Sequence, residues 1–328
     1  MKRSILGRQA AKLLATVVLS GAAAAALAQS YPTKPIRLVV PFPPGGVADL
    51  IARPLAEKLS ASLQQPVVVE NRAGATGTIA GAYVANAPAD GYTLLLGTTN
   101  EIAMSPSLYK SLPYDPTRAF TPIAPVAEFP NVLVVGPSVQ ADSLKALVAH
   151  AQERPGKLTF ASSGPGSTNH LTAEIFKKLA GVDVVHVPYK GGGPALTDLV
   201  GGHVDAMFAT LPSAVQYIKT GRLRALAVTG SRRSGNLPEV PTAEEAGLPG
   251  LVVTTWNGVL APAGMPDDIR ALLVNHIQSG AAQADVRERY IEAGAEPMSA
   301  GPEQFGKMIR DDFTRWSGVI KDAAITSQ

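Results

Sequence analysis

Three stretches of this chain share one layout: an apolar run, a turn stripped of side chains, then the start of a helix-like repeat. They are PFPPGGVADL (41–50), ASSGPGSTNHL (161–171) and VPYKGGGPALTDL (187–199). The chemistry open to such turns is anion binding. A helix leaves its first backbone N–H groups without acceptors, and its dipole adds positive potential there. Glycine removes the side chain that would hold a ligand off that backbone. Gly45 and Gly46 serve the first turn, Gly164 and Gly166 the second, and Gly191 to Gly193 the third, before a helix expected to open at Pro194. Asp49 falls in the first turn of its helix, where its charge suits the dipole and its carboxylate could also reach a cleft. Ser167 or Thr168 is placed to cap the second helix. A fourth, polar stretch, LLGTTNEIAM (95–104), offers Thr98, Thr99 and Asn100. Taken alone, the first stretch reads equally well as a tight turn with glycine for geometry only. The recurrence of the pattern favours a cradle of backbone donors and small hydroxyls, suited to a carboxylate.

Other chemistries find less support. Gly164-Pro165-Gly166-Ser167-Thr168-Asn169 breaks the dinucleotide fingerprint at its third glycine, and no phosphate-loop motif occurs. The histidines (150, 170, 186, 203 and 276) show no metal-binding spacing. His170 follows the second glycine turn and is placed to face a cleft. No nucleophile elbow occurs, and Ser107-Leu108-Tyr109-Lys110 lacks the companion motifs of an S-x-x-K enzyme. Asp205 ends a glycine-bearing connection, where it serves either a ligand amine or local structure. Trp256-Asn257-Gly258 reads as a hinge, a cleft wall or ordinary core.

The elements that must position these turns alternate strand and helix. Strands are expected over 36–41, 66–72, 92–98, 131–137, 157–164, 182–189, 204–210, 223–230 and 252–260. Helices are expected over 47–63, with Ile51, Leu55 and Leu59 on one face, and over 78–91, 144–152, 168–181, 194–202, 266–282, 284–293 and 301–324. Unbroken apolar strands joined by helices predict a parallel sheet covered on both faces. In open α/β sheets the strand-to-helix turns form the ligand-binding edge. The proline-rich stretches 113–130 and 228–256 read as irregular crossovers between two lobes, 29–130 plus 245–328 and 131–244.

Composition narrows the setting. A basic start (Lys2, Arg3, Arg8, Lys12), an apolar run from Leu13 to Leu27 and the small-x-small Ala26-Leu27-Ala28 predict a secretory leader cleaved after Ala28. The run falls short of the ~20 residues of a membrane span. The leader holds four of the 29 basic residues and no acidic one, so the formal charge falls from +3 to −1, with 25 basic against 26 acidic residues. Nothing points to a nucleic-acid partner. The chain has no cysteine, which excludes disulfides, thiolate metal sites and a lipid-anchored N-terminus. No cofactor is expected.

With these motifs in view, the sequence resembles the tripartite tricarboxylate transporter substrate-binding proteins, the Bug proteins of Bordetella and its relatives. The likeness rests on ordered motifs: YPTKPIRLVVPFPPGGVADLIARPLAEKL, VVVENRAGATGTIA, ADGYTLLLGTTN, GKLTFASSGPGSTNHLTAEIF and VHVPYKGGGPALTDLVGGHVDAMF. It implies an α/β fold: the two-lobed periplasmic binding protein fold, type II, with hinged lobes and a central ligand cleft. It also implies a periplasmic receptor, expected as a monomer, that delivers a small carboxylate (an organic acid or amino acid) to integral membrane transporter subunits. Carried onto this chain, the ligand-binding candidates are Phe42, Gly45, Gly46 and Asp49; Thr98, Thr99 and Asn100; Ser163, Ser167, Thr168 and His170; and Tyr189 and Asp205. A sensing subunit for a signalling system is the alternative. A carboxylate-processing enzyme would need a paired nucleophile or base, and none is visible.

Overall fold

The structure, a computed structural model, describes residues 31–322 and 325. The leader and its cleavage point lie outside the described residues. Strand β1 (Ile36–Val40) is an apolar, β-branched run whose residues are almost all buried. It lies parallel to β2 (Val67–Asn71) and β3 (Thr93–Thr98). Between them run α1 (Val47–Leu63), which buries Ile51, Leu55 and Leu59, and α2 (Thr78–Ala85). Helix α2 ends earlier than its apolar pattern suggested. After β3 come a single π turn, Asn100–Met104, and a short helix, α3 (Ser105–Leu108).

The next element departs from the sequence reading. Residues 113–130 were expected to be irregular. Instead one 16-residue strand, β4 (Phe120–Val135), runs through Pro122, Pro125 and Pro130. Proline cannot donate to a ladder, and β4 accommodates it by slipping register against β9 (Thr254–Pro262) between Pro122 and Ala124 and again between Pro125 and Ala127. Residues 120–130 of β4 pair with β9, whereas residues 131–135 pair with β7 (Ala206–Thr210) and β8 (Arg224–Val228). One strand thus belongs to both halves of the sheet, whose order, with β5 (Thr159–Ser162) and β6 (Val185–Pro188) at the far edge, is β2-β1-β3-β9-β4-β7-β5-β6.

The second half holds α4 (Leu144–Glu153), β5 (Thr159–Ser162), α5 (Thr168–Ala180), β6 (Val185–Pro188), α6 (Gly192–Val200) and α7 (Leu211–Lys219). Strands β5, β6 and β7 are parallel to one another. Every pairing of β4, and that of β3 with β9, is antiparallel, so the sheet is mixed rather than wholly parallel. A descending chain end must cross back to complete the first half, and β9 does so against the strand direction. Helix α7 had no counterpart in the sequence reading; it begins directly after β7, with Thr210 as its N-cap. Helices α8 (Asp267–Ala281) and α9 (Ala284–Glu292) then cover the first half, followed by the two-residue β10 (Glu296–Pro297) and by α10 (Pro302–Asp322). No helix among the described residues is long and apolar enough to cross a membrane.

The chain crosses between the halves near Asn131 and again between Thr229 and Val253, and these crossings are fastened together. Asn131 N donates to Thr229 Oγ1 at 2.9 Å, and Thr229 Oγ1 donates to Val253 O at 2.6 Å. Separate apolar cores fill the two halves, one around Leu38, Leu55 and Tyr290 and the other around Phe160, Phe176 and Phe208. On the far face of β9, Trp256 packs edge-on against Phe305 with ring centroids 5.3 Å apart.

Gly258 sits within this contact, and a Cβ there would overlap the Phe305 ring. Overpacking of this kind costs about 1–3 kcal/mol. Gly258→Ala is therefore expected to lower the urea midpoint at an unchanged m value, and an unchanged midpoint would refute the packing described.

Candidate functional site

The strand-to-helix turns of both halves open onto one cavity of about 520 Å³. Phe42, Pro43, Gly46, Val47 and Ala48 line it from the β1–α1 turn, and Thr98 and Asn100 from the end of β3. From the other half come Ser163, Pro165, Ser167, Thr168 and Asn169, with Gly191 to Gly193 and Thr210 and Ser213. Thr76, Phe129, Thr255 and Asn257 complete it. No lining residue carries a charge. A larger depression, of about 720 Å³, lies between α5 and α10, but its charges largely answer one another, as in Lys177–Glu174 and Lys178–Asp322, and none of these turns reaches it.

What replaces charge is the start of four helices. α1, α5, α6 and α7 all begin at this cavity, capped by Gly46, Ser167, Gly191 and Thr210. Only Ser167 of the four caps its helix through its side chain, accepting from His170 N at 3.3 Å. The opening N–H groups of the others have no side-chain cap to occupy them, and four dipoles direct positive potential at one space.

The two glycines of the first turn have different duties. Gly45 takes φ +80°, which strains any other residue. Its N–H donates to Asp49 Oδ2 at 2.9 Å. Gly46 is extended (φ −74°), so it is needed for space rather than for conformation; a Cβ there would lie 3.3 Å from Pro43 O at the cavity wall.

Asp49 points away from the lining and braces the turn. It accepts from Arg53 Nε at 2.8 Å and from Asn71 Nδ2 at 2.9 Å, while Asn71 also donates to Phe42 O at 3.0 Å. Burial pushes the Asp49 carboxyl up, but the bonds from Arg53, Gly45 and Asn71 outweigh it and hold the group below the usual carboxylate range. Thr99 is likewise engaged elsewhere, accepting from Trp256 N at 3.1 Å.

In the second half, Ser163 donates to Asn169 Oδ1 at 2.5 Å and Asn169 donates to Phe208 O at 2.5 Å, which fixes the turn to β7. His170 lies beneath the turn, outside the lining. Its Nδ1 accepts from Gly166 N at 3.1 Å, and its ring stacks on His186 at 3.7 Å. Burial, followed by the nearby His186 and Lys177, pulls its pKa down to about 4, so it is neutral and holds Gly166 as an acceptor. The structure does not bring Tyr189 or Asp205 to the cavity. The Tyr189 hydroxyl donates to Asp198 at 2.7 Å. Asp205 stands before β7, at the edge of the sheet opposite the helix starts, and accepts from Thr159 N at 2.8 Å and Thr159 Oγ1 at 2.7 Å.

Of the sequence candidates, Phe42, Gly46, Thr98, Asn100, Ser163, Ser167 and Thr168 come together. Asn169 and the three glycines were inside quoted stretches but were not singled out as site residues. Thr210 and Ser213 were missed with α7, although a threonine two residues before Pro212 is a helix-start signal. Thr76, Phe129 and Thr255 carry no such signal.

Glu101 lies directly under this floor, fully buried. It accepts from Thr98 N at 2.5 Å and from Thr98 Oγ1 at 2.6 Å, and Thr98 Oγ1 in turn accepts from Asn100 N at 3.2 Å. Burial pushes the carboxyl up to about 7 against the pull of the Thr98 bonds.

This chain matches the family model described as "Tripartite tricarboxylate transporter family receptor" over residues 51–325. It is 43% identical to protein BugT of Bordetella pertussis over 307 residues, 93% of this chain and 94% of the relative. Among solved structures it superposes on Rpa4515 of R. palustris with adipate at a TM-score of 0.82 and 38% identity, covering 90% of this chain and 99% of the other. It also superposes on MatC from Rhodopseudomonas palustris with bound malate, at a TM-score of 0.77 and 34% identity over 88% and 100% of the two chains.

The buried acid and the buried imidazole make opposite pH predictions. Folded Glu101 keeps its proton up to about pH 7, whereas the unfolded group loses it near its ordinary 4.5, so its contribution falls as pH rises through that window. His170 acts in reverse, losing stability as pH falls from 6.5 towards 4. Glu101→Gln removes the first arm alone. The stability of this variant relative to wild type is expected to rise between pH 4.5 and pH 8 by on the order of 3 kcal/mol. A difference independent of pH, measured by urea denaturation, would contradict an acid buried without a cation.

Proposed function

The chain belongs to the tripartite tricarboxylate transporter family of receptors, and from that premise we propose that it captures a small organic carboxylate in the cavity between its lobes and delivers it to a membrane transporter. Proteins of this family and fold are substrate-binding proteins, not enzymes, and this chain is one of them. The observation that carries the proposal is the convergence of four helix starts, from both halves, on a cavity without a charged side chain. Fixed N–H donors solvate a carboxylate without a buried cation, whose own desolvation would have to be offset. Adipate in Rpa4515 and malate in MatC support the same ligand class.

In this reading the contacts come from Phe42, Gly46, Thr98, Asn100, Ser163, Ser167 and Thr168, while Gly45, Asp49, Thr99 and His170 shape the turns behind them. The lobes are 29–130 plus 245–328 and 131–244. Support for that division is the change of partners along β4 at residues 130 and 131. Ligand closes the lobes by contacting both rims at once. The basic, apolar N-terminus with its Ala26-Leu27-Ala28 site supports export to the periplasm.

The test is calorimetric titration after a thermal-shift screen of mono-, di- and tricarboxylates and acidic amino acids. A ligand at a hundred times its Kd stabilises the native state by about 2.7 kcal/mol. Gly46→Val places added methyl groups at the cavity wall, so it should weaken binding at least about tenfold, roughly 1.4 kcal/mol, while the melting temperature without ligand falls by only a few degrees as Pro43 O gives way. Unchanged affinity in that variant, or turnover of a bound acid, would overturn the reading.

A further inference from the structure

No charged residue lines the cavity, but an acid stands one residue behind its wall. Glu101 bonds through both carboxyl oxygens to Thr98, a lining residue, at 2.5 Å and 2.6 Å. Gly77 presses on the same carboxyl: a Cβ there would come 2.8 Å from Oε2, and Thr76, the residue before it, also lines the cavity. The acid is thus packed behind two parts of the wall. It belongs to the π turn Asn100–Met104, a rare geometry that recurs at functional sites.

No cation among the described residues answers it. What acts on the carboxyl is burial, the Thr98 bonds and its own backbone N–H. The titratable and charged groups on the elements packed around it are neutral or engaged elsewhere. Tyr114 donates its hydroxyl to Glu101 O at 2.8 Å, and burial keeps that phenol protonated. On α2, Tyr83 has the Arg72 guanidinium over its ring at 3.6 Å. Tyr109, just after α3, meets Thr76 Oγ1 at 3.4 Å. On α10, Asp312 accepts from Trp256 Nε1 at 2.7 Å, and Arg315 donates to Val252 O.

The site can hold the acid in both protonation states, because Thr98 Oγ1 donates to the carboxylate and can accept from the neutral acid. A carboxylate in the cavity brings a second negative charge beside it, and two like charges in a space of low dielectric oppose each other. We propose that Glu101 couples ligand capture to proton uptake: a carboxylate entering the cavity draws a proton onto Glu101, and the ionised acid weakens the ligand's hold. This rests on the carboxylate reading of the cavity and adds a proton as its second ligand. The charge acts through the wall, so Glu101 need not touch the ligand. Linkage makes the effect reciprocal: protonation strengthens binding by the factor by which binding strengthens protonation. The free acid titrates at about 7, so affinity is full below that pH and falls as pH rises through it. His170 and His186 lie below their ordinary range and are neutral in that window.

The experiment is calorimetric titration with the tightest binder among propionate, succinate, malate, adipate and glutamate. Wild-type affinity should fall at least about fivefold between about pH 6.5 and about pH 8.5. Near pH 7.5, heats in phosphate and Tris buffers should differ by the uptake of a fraction of one proton. Glu101→Gln imitates the neutral acid, with an amide that can donate to Thr98 Oγ1. It should bind with one affinity across the range, close to that of wild type at the acid end, and with equal heats in both buffers. The ¹³C carboxyl signal of Glu101 in wild type reads the same coupling without a variant: its titration midpoint should rise when ligand is saturating. Level affinity without buffer dependence, or an unmoved midpoint, overturns the coupling and leaves the carboxylate reading standing. So does a pH dependence that Glu101→Gln retains, as titration of Asp312 would give. Failure of all five acids to bind removes both.

Discussion

An anion enclosed by protein must be solvated by something, and in the proposed reading the solvating groups are the N–H ends of helices. Four of them face one cavity in which no side chain is charged. This places demands on the rest of the chain. Each helix must follow its strand after a short turn, so that its first N–H groups lie at one edge of the sheet. The turns must be rigid, because a donor that can swing away to water is a poor substitute for water. Hence the bracing behind the rim: Asp49 clamped by Arg53 and Asn71, Asn169 bonded to the backbone of β7, and neutral His170 accepting from Gly166. None of these polar groups needs to touch a ligand to matter for binding.

The second demand is that the two rims share a frame yet remain able to move. β4 meets it by pairing with β9 in one half and with β7 and β8 in the other. The prolines of β4 fall on the β9 side of Asn131, where slipped register absorbs their missing donors and leaves the ladder irregular. Thr229 ties both crossings of the chain at one point through Asn131 and Val253. Tension between a stiff strand and a single polar fastening suits a hinge better than a continuous regular sheet would.

Much of this was legible from residue order. The apolar face of α1 at Ile51, Leu55 and Leu59, the strands around the glycine turns, and the gathering of Phe42, Gly46, Thr98, Asn100, Ser163, Ser167 and Thr168 follow from local patterns that the fold leaves intact. What escaped was set at longer range. Proline argues against strand, and only the pairing of β4 with β9 overrides it. Helix α7 went unread because it starts with no loop after β7, its N-cap Thr210 being the last residue of that strand. Asp49 carries the right chemistry for a cleft, but Arg53 one turn on and Asn71 from β2 draw its carboxylate inward, and the second partner is invisible to spacing.

The central claim concerns backbone groups, which mutation cannot remove, so it is best tested by observing them. With the protein labelled with ¹⁵N, amide spectra recorded with and without a bound carboxylate report on Val47 and Ala48, which open α1 in one rim, and on Gly192 and Gly193, which open α6 in the other. The account predicts that saturation moves amide proton signals from both rims downfield, as charge-assisted hydrogen bonds form. Perturbation confined to one rim, or absent from these amides while the ligand is bound, would contradict it.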